Sequence, residues 1–438
     1  MAVFKKICNS KLSIIIESII IGFVAGLVIA VFRLALMRAA VFRYLWFARE
    51  HSMFVWLAAL VVFAATGLLL GFALKERPNV RGSGVPHIKG VLFGVTSFNW
   101  KTEAPLKYAA TLAALCAGLS LGRAGPCMQI GAYAGLAGAA FFHRRQTRER
   151  NLFLTSASAA GFSAAFSAPF SGVLFAIEEL GLRLKPVSIV CVFGSALAAY
   201  FGTGLILGLN PVFEWNDAAP LPALFFPLAV LMGCVCAVAA DLYKRLLYMF
   251  TSLYPTLNIP ETARPALPVV LTLPLGVLFF NITGGGQELI ESLAKDAYTI
   301  FALALMLAGK MLFTGICFGS GASGGLFLPL LACGSLTGLI FARVAEVFGI
   351  LPEGFVMIFL ILGMCAFFTA VVKAPITGIV LVLEITGGAQ NLAALVLVSF
   401  SSLLTAELIS SRPVYNVLLE KLAGLPVKST DVKGDDYV

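Results

Sequence analysis

The sequence predicts an all-α, polytopic membrane protein built from two similar halves. Three observations carry that prediction. Of 438 residues, 60% are hydrophobic and only 12% are charged, whereas a soluble domain is about a quarter charged. Apolar runs long enough to cross a bilayer recur, most clearly at 13–31, 54–74, 187–208 and 389–408, where about 20 apolar residues suffice for one span. Finally, SAPFSGVLFAIEE (167–179) and KAPITGIVLVLEI (373–385) share the pattern A-P-x-[ST]-G-x-x-x-x-x-E. Ala168/Ala374, Pro169/Pro375, Gly172/Gly378 and Glu178/Glu384 each stand 206 residues apart.

From the N-terminus, Lys5, Lys6 and Lys11 precede an apolar run near 25 residues long. The run is too long for a signal-peptide core and no small-residue cleavage site follows it, so it predicts an uncleaved first helix. Basic residues mark the cytoplasmic side. Here they cluster at the N-terminus, at His143-Arg144-Arg145-Gln146-Thr147-Arg148 and at Arg183-Leu184-Lys185. The net charge of +9 then reflects orientation in the lipid bilayer. Nucleic acid is excluded as a partner because no basic domain stands outside the spans.

A second repeat pair lies upstream of the first. Gly122-Arg123-Ala124-Gly125-Pro126 precedes its A-P by about 43 residues, and Gly325-Leu326-Phe327-Leu328-Pro329 precedes its own by about 46. The whole chain, 1–438, thus reads as one transmembrane domain of two halves, about 1–215 and 216–438. The break is expected between Asn210-Pro211 and Pro220-Leu221. Duplication with interrupted helices is the mark of transporter folds, whose sites lie at the repeat interface near mid-membrane. Segments 266–281, 352–369 and 376–386 are too short to span upright, so tilted and re-entrant helices are expected. After the last helix, the tail from Pro426 is short, polar and acidic at its tip.

The nine cysteines and three histidines show no metal-ligand spacing. No metal and no organic cofactor is expected, nor is an enzyme, since no histidine falls near a buried nucleophile in a recognisable arrangement. A cation-coupled carrier would favour intramembrane carboxylates and helix C-termini. Three turns point the other way: Gly82-Ser83-Gly84-Val85-Pro86, the 122–126 turn, and Gly319–Pro329. Each ends in proline and leads into helix, exposing N–H groups that attract anions. At membrane depth such backbone is tolerated only where it lines a cavity. The alternative is that the turns are simple helix breaks in a crowded fold. A nucleotide P-loop is excluded at 319–325, where no G-K-[ST] follows the glycines.

These motifs, in this order, resemble the three signature turns of the CLC family of chloride channels and proton/chloride antiporters. Tyr415, in Arg412-Pro413-Val414-Tyr415, matches its fourth element. The resemblance spans nearly the whole chain and is to the bacterial type. It implies a CLC-type inverted-repeat fold, a homodimer with one anion pore per subunit, and a multi-pass protein of a bacterial inner membrane. The cytoplasmic nucleotide-binding domains of eukaryotic relatives are not expected.

Carried over residue by residue, the resemblance implies that Ser83 and Tyr415 offer hydroxyls, and Leu326 and Phe327 backbone amides, to a chloride ion in the pore, with other small anions as possible cargo. Ser83 also suggests chloride over nitrate. Tyr415 reads equally as an interfacial aromatic. Lys107 would raise the potential along the pore, and Lys310 invites the same role; snorkelling to the interface is the alternative for both. Glu178 has a repeat mate in Glu384 and reads as structural. Glu179 aligns with Ile385 and has none. The resemblance makes Glu179 a proton relay, against the alternative of a solvated helix end. In most relatives the middle residue of the 122–126 turn is a glutamate that gates the anion path and carries a proton. Here it is Ala124, flanked by Arg123 and Gly125 at an expected outer anion site. Alanine has no charge, no proton and no reach. The expectation is passive chloride conduction without coupling, in a natural channel or in an antiporter altered at its gate.

Overall fold

In the computed structural model, residues 2–213, 215 and 220–424 are described. The middle of the expected junction between the halves and the tail from Pro426 lie outside the described residues. Seventeen helices account for the fold among those residues. The first eight are α1 (Ala2–Phe47), α2 (Met53–Glu76), α3 (Val85–Leu92), α4 (Trp100–Cys116), α5 (Ala124–Phe141), α6 (Thr147–Phe166), α7 (Pro169–Glu178) and α8 (Pro186–Leu207). The next eight are α9 (Phe226–Leu253), α10 (Ala266–Leu278), α11 (Gln287–Lys295), α12 (Ile300–Gly319), α13 (Phe327–Val347), α14 (Val356–Val372), α15 (Pro375–Thr386) and α16 (Leu392–Leu408). A last helix, α17 (Val414–Ala423), follows.

The first helix is much longer than its apolar run suggested, 46 residues without interruption. Its glycines do not break it because they are where another helix packs. A Cβ on Gly26 would stand 2.5 Å from the Ala199 carbonyl of α8.

Helices α1–α8 correspond in order to α9–α16, and α17 has no counterpart. Packing repeats as well: α1 lies on α8 as α9 lies on α16, and α5 on α6 as α13 on α14. Glycines bring each of the latter pairs together, Gly131 against Gly161 and Gly334 against Gly363. Small residues let helix backbones approach where lipid offers no hydrophobic drive between helices.

The halves join through bonds that come in matched pairs. Gly122 N–H donates to Gly325 C=O at 2.6 Å, and Gly325 N–H returns the bond to Gly122 C=O at 2.6 Å. Thr111 and Ser323 hydroxyls meet at 2.8 Å, and Ser120 and Thr314 at 2.7 Å. Glu178, ending α7, accepts from Thr377 N–H at 2.7 Å and Ile376 N–H at 3.2 Å, opening α15. Glu384 on α15 accepts from Ser171 N–H at 2.7 Å and Phe170 N–H at 2.9 Å, opening α7. Each carboxylate thereby caps the other half's helix N-terminus. Glu178 and Glu384 are structural, as their repeat spacing suggested.

The basic clusters gather on one face. Arg144, between α5 and α6, pairs with Glu17 of α1 at 2.8 Å and donates to Ser13 at 2.9 Å. The Glu17 carboxylate pushes the Arg144 guanidinium above its usual range. Arg43 lies 26 residues further along α1, about 39 Å away at 1.5 Å per residue, and marks the opposite face.

Candidate anion site

The three turns meet at the interface of the halves. Gly82 C=O accepts from Gly324 N–H at 3.1 Å, and the paired Gly122–Gly325 bonds lie beside it. Gly84 adopts φ +92°, and a Cβ there would stand 2.5 Å from Gln129 Oε1. Only glycine meets both demands. Gly125 abuts the Ser83 backbone and hydroxyl so closely that a side chain has no room. The N-terminus of α5 is thereby pressed against the 82–84 turn. A Cβ on Gly122 would lie 3.0 Å from Leu328 N, so α5 and α13 begin side by side.

The predicted donors are buried and unspent. Ser83 is 2% exposed and Tyr415 fully buried. The two hydroxyls are close enough to interact, yet neither has a hydrogen-bond partner. The first bond within α13 runs from Leu330 N–H to Leu326 C=O at 3.0 Å, so the amides just before it have no intrahelical acceptor. Burying unpaired donors costs free energy, and an anion is the ligand that would recover it. Tyr415 is not an interfacial aromatic. It lies under the Phe327 ring, centroids 5.9 Å apart and planes at 29°, with Phe175 at 6.4 Å. Packing of α17 against α3 carries Tyr415 to Ser83.

Basic side chains surround this spot at one remove, and each bonds at least one backbone carbonyl. Lys107 is fully buried and donates to Val80 C=O at 2.9 Å and Gly82 C=O at 2.8 Å. Lys310 does the same for Ile282 C=O at 3.1 Å and Gly284 C=O at 2.7 Å. Neither snorkels. Both satisfy irregular backbone that lipid cannot. Arg123 points back to the end of α6, Nε donating to Ala165 C=O at 3.1 Å, while Nη1 reaches Gln287 Oε1 at 2.9 Å. Arg33, which the sequence did not single out, joins it at the same helix C-terminus, 2.7 Å from Ala164 C=O. Cations at a helix C-terminus complement its dipole. Ala124 is the first residue of α5 and wholly buried.

Glu179 is no solvated helix end. It is 8% exposed and its Oε1 lies 2.6 Å from Lys89 Nζ. Lys89 also donates to Asn416 Oδ1 at 2.6 Å, next in sequence to Tyr415. The ion pair therefore ties the end of α7 to the helix that carries the tyrosine. Lys89 escaped the sequence reading, although a lysine inside the apolar helix after a signature turn was itself a signal.

Buried unspent hydroxyls, abutting helix N-termini and a duplicated helical frame define a polytopic membrane protein with an interior suited to an anion. A family model described as voltage gated chloride channel matches residues 66–407, and the chain belongs to that family. It is 32% identical over 425 residues to a Vibrio vulnificus (strain YJ016) protein named H(+)/Cl(-) exchange transporter ClcA, covering 94% of this chain and 90% of the relative. Its namesake in Vibrio cholerae serotype O1 (strain M66-2) is 33% identical over 427 residues, with the same coverage of both chains. Among solved structures, a slow cyanobacterial Cl−/H+ antiporter superposes with a TM-score of 0.87 at 24% identity, covering 94% of this chain and 98% of the other. A eukaryotic CLC transporter superposes at 0.76 and 19% identity, covering 94% and 74%. At these identities the structures speak for the CLC fold.

Proposed function

We propose that this chain is a membrane chloride conduit that moves the anion passively, uncoupled from protons. The observation that carries the proposal is Ala124. It holds the first position of α5, beside the Ser83 turn, and offers no carboxylate to compete for the anion path or to bind a proton. Ser83 and Tyr415 hydroxyls with the Leu326 and Phe327 amides would bind chloride, because such donors hold a halide without the grip of a full charge. Lys107, Arg123 and Gly125 shape that site through backbone. Names of the relatives support chloride as the cargo. Exposed apolar side chains such as Phe54, Leu205, Leu224 and Leu408 suit lipid, and a second copy on this surface would give the homodimer. A bacterial inner membrane is the location that fits the relatives.

A second reading has its own support. Glu179 is present, and the relatives are named as H(+)/Cl(-) exchangers. An antiporter whose gating glutamate has become alanine would look the same. Proteoliposomes loaded with chloride and shunted with a potassium ionophore separate the readings. The conduit releases chloride rapidly and moves no proton uphill. Uphill proton movement in the unsubstituted protein sinks the proposal. Restored coupling in Ala124→Glu supports an antiporter ancestor, whereas a blocked pore supports a natural channel.

A further inference from the structure

On the face opposite the basic clusters, a cavity of about 230 Å³ opens between α1, the start of α5 and the 285–291 segment. Arg43, Arg123, Gln287, Glu288, Glu291 and Leu328 line it. We propose that it is an outer anion-capture site, in which Arg43 and Arg123 take a small monovalent anion from solution and Glu288 is the counter-ion that the anion displaces. The proposal rests on the anion-transport reading above.

Two deeply buried guanidiniums keep unused donors here. Arg43 is 8% exposed, and neither its Nε nor its Nη1 has a partner. Arg123 is 6% exposed, and its Nη2 has none. A guanidinium carries five N–H donors and cannot shed its charge, so burying it with donors unspent is costly unless a ligand completes the set.

The backbone makes room for Arg43. Gly118 and Gly284 sit at φ +89° and +70°, and Gly284 N–H donates to Gly118 C=O at 2.7 Å. A Cβ on Gly118 would stand 2.8 Å from Arg43 Nη1, and one on Gly284 would stand 2.8 Å from Nη2. The guanidinium therefore lies in a slot that only glycines leave open. Lys310 holds the Gly284 carbonyl from the other side at 2.7 Å.

The carboxylates are looser than the cations. Glu288 Oε1 stays 3.8 Å from Arg43 Nη2 with 39% of its side chain exposed, beyond hydrogen-bond length. Glu291 instead accepts from Gln287 Nε2 at 2.9 Å, and Gln287 Oε1 accepts from Arg123 at 2.9 Å. Cations are thus deep and carboxylates sit toward the opening. A small monovalent anion that replaces Glu288 can close on Arg43 Nη2, which Glu288 leaves beyond hydrogen-bond length, while the unpartnered Nε and Nη1 leave the buried guanidinium charge uncompensated by other bonds. A multivalent oxyanion would meet two carboxylates on the way in, a repulsion that specificity commonly uses. Leu121 and Leu328 also line the cavity, so it borders the starts of both α5 and α13, where the anion site lies.

The test is the dependence of chloride flux on chloride added to one face at a time, with the full-length protein oriented in planar bilayers. Arg43→Gln is expected to raise the half-saturating chloride concentration from the α11 face about threefold to tenfold, with no matching shift from the basic face. Glu288→Gln is expected to lower it from the α11 face by a similar factor. Should Arg43→Gln fail to give a monodisperse protein, Glu288→Gln carries the test, since that side chain is partly exposed. Half-saturation unmoved in the variants, or moved equally from both faces, overturns the capture site. Loss of chloride flux in the unsubstituted protein would instead overturn the transport reading beneath it.

Discussion

The two halves of the molecule agree in their frame and differ in their chemistry. Gly122/Gly325, Pro126/Pro329, Lys107/Lys310, Thr111/Thr314 and Ser120/Ser323 stand 203 residues apart, and each makes the bond or turn its mate makes. Between the matched glycine and proline, however, Arg123-Ala124-Gly125 faces Leu326-Phe327-Leu328. One helix begins with a cation and an empty position; the other begins with an aromatic wall. Likewise Glu178 and Glu384 cap each other's half, whereas Glu179 next door stands against Ile385 and pairs with Lys89. Tyr415 comes from the one helix without a counterpart. Duplication supplied a rigid crossing of helix N-termini. The residues suited to an anion are those that escaped it.

The largest effect is expected at the crossing itself. Gly325→Val places a branched side chain where even a Cβ would lie 3.1 Å from Gly122 O and Gly125 N. Overpacking of backbone against backbone has no flexible side chain to yield. Size-exclusion chromatography in detergent should show no monodisperse protein. A well-folded Gly325→Val protein would mean that the reciprocal glycine bonds do not organise the halves.

Next in size is the lysine pair. Lys310→Met leaves the Ile282 and Gly284 carbonyls unpaired, whereas Lys107→Met strands only Val80 C=O, because Gly82 C=O keeps its bond from Gly324 N–H; hydrogen bonds to charged groups contribute about 1.5–3 kcal/mol. Both should lose stability in thermal melts, Lys310→Met the more. Only Lys107→Met should also slow chloride flux beyond the loss of folded protein, because Lys107 holds the carbonyl of Gly82, next to Ser83. Equal effects on flux would blur the contrast between frame and site.

How far the sequence revealed this contrast follows from where each signal resides. The repeat was legible because glycine, proline and glutamate recur at one offset within apolar text. The glycine–proline turns were legible for the same reason, and the candidate site residues came from resemblance to a family whose motifs are local. The lysines were read only halfway. Their charge in an apolar helix was plain, but Lys107's acceptors are backbone carbonyls 25 and 27 residues away, which no side-chain pattern displays. Arg33, Arg43 and Lys89 fared worse. Their partners come from distant helices, such as Glu179, 90 residues from Lys89, and an isolated basic residue reads as an interfacial anchor until the fold shows what surrounds it.

A smaller effect separates the three glutamates. Glu178→Gln and Glu384→Gln each weaken a charge-assisted helix cap, worth about 1 kcal/mol, and should do so alike. Glu179→Gln leaves the Lys89 ammonium buried without its counter-charge, where breaking one partner of such a pair costs about 3–5 kcal/mol when fully buried. Lys89 retains Asn416, which places the expected loss below that range but above the cap variants. Thermal melts of the three variants in one detergent decide it. If Glu179→Gln is the mildest, the ion pair does not anchor α17.

The smallest effect is expected at the surface. Arg81, beside the Ser83 turn, donates to Glu261 at 3.0 Å, with 48% of the glutamate side chain exposed. The hydrogen bond and charge of Arg81 hold the Glu261 carboxyl below its usual range. A lowered carboxyl stabilises the fold above the unfolded-state value, near 4.3 for glutamate, and that contribution fades as pH falls through the lower folded-state value. Because the pair is largely solvated and screened, its contribution should be only about 0–1 kcal/mol. Glu261→Gln should therefore melt slightly earlier than the unsubstituted protein at pH 7, and the gap should close in acid and in high salt. A gap that persists at low pH would show that the glutamine disturbs the 257–265 loop by packing rather than by charge. Arg81 would then be held in place through its other bond, to Leu74 C=O at 3.0 Å.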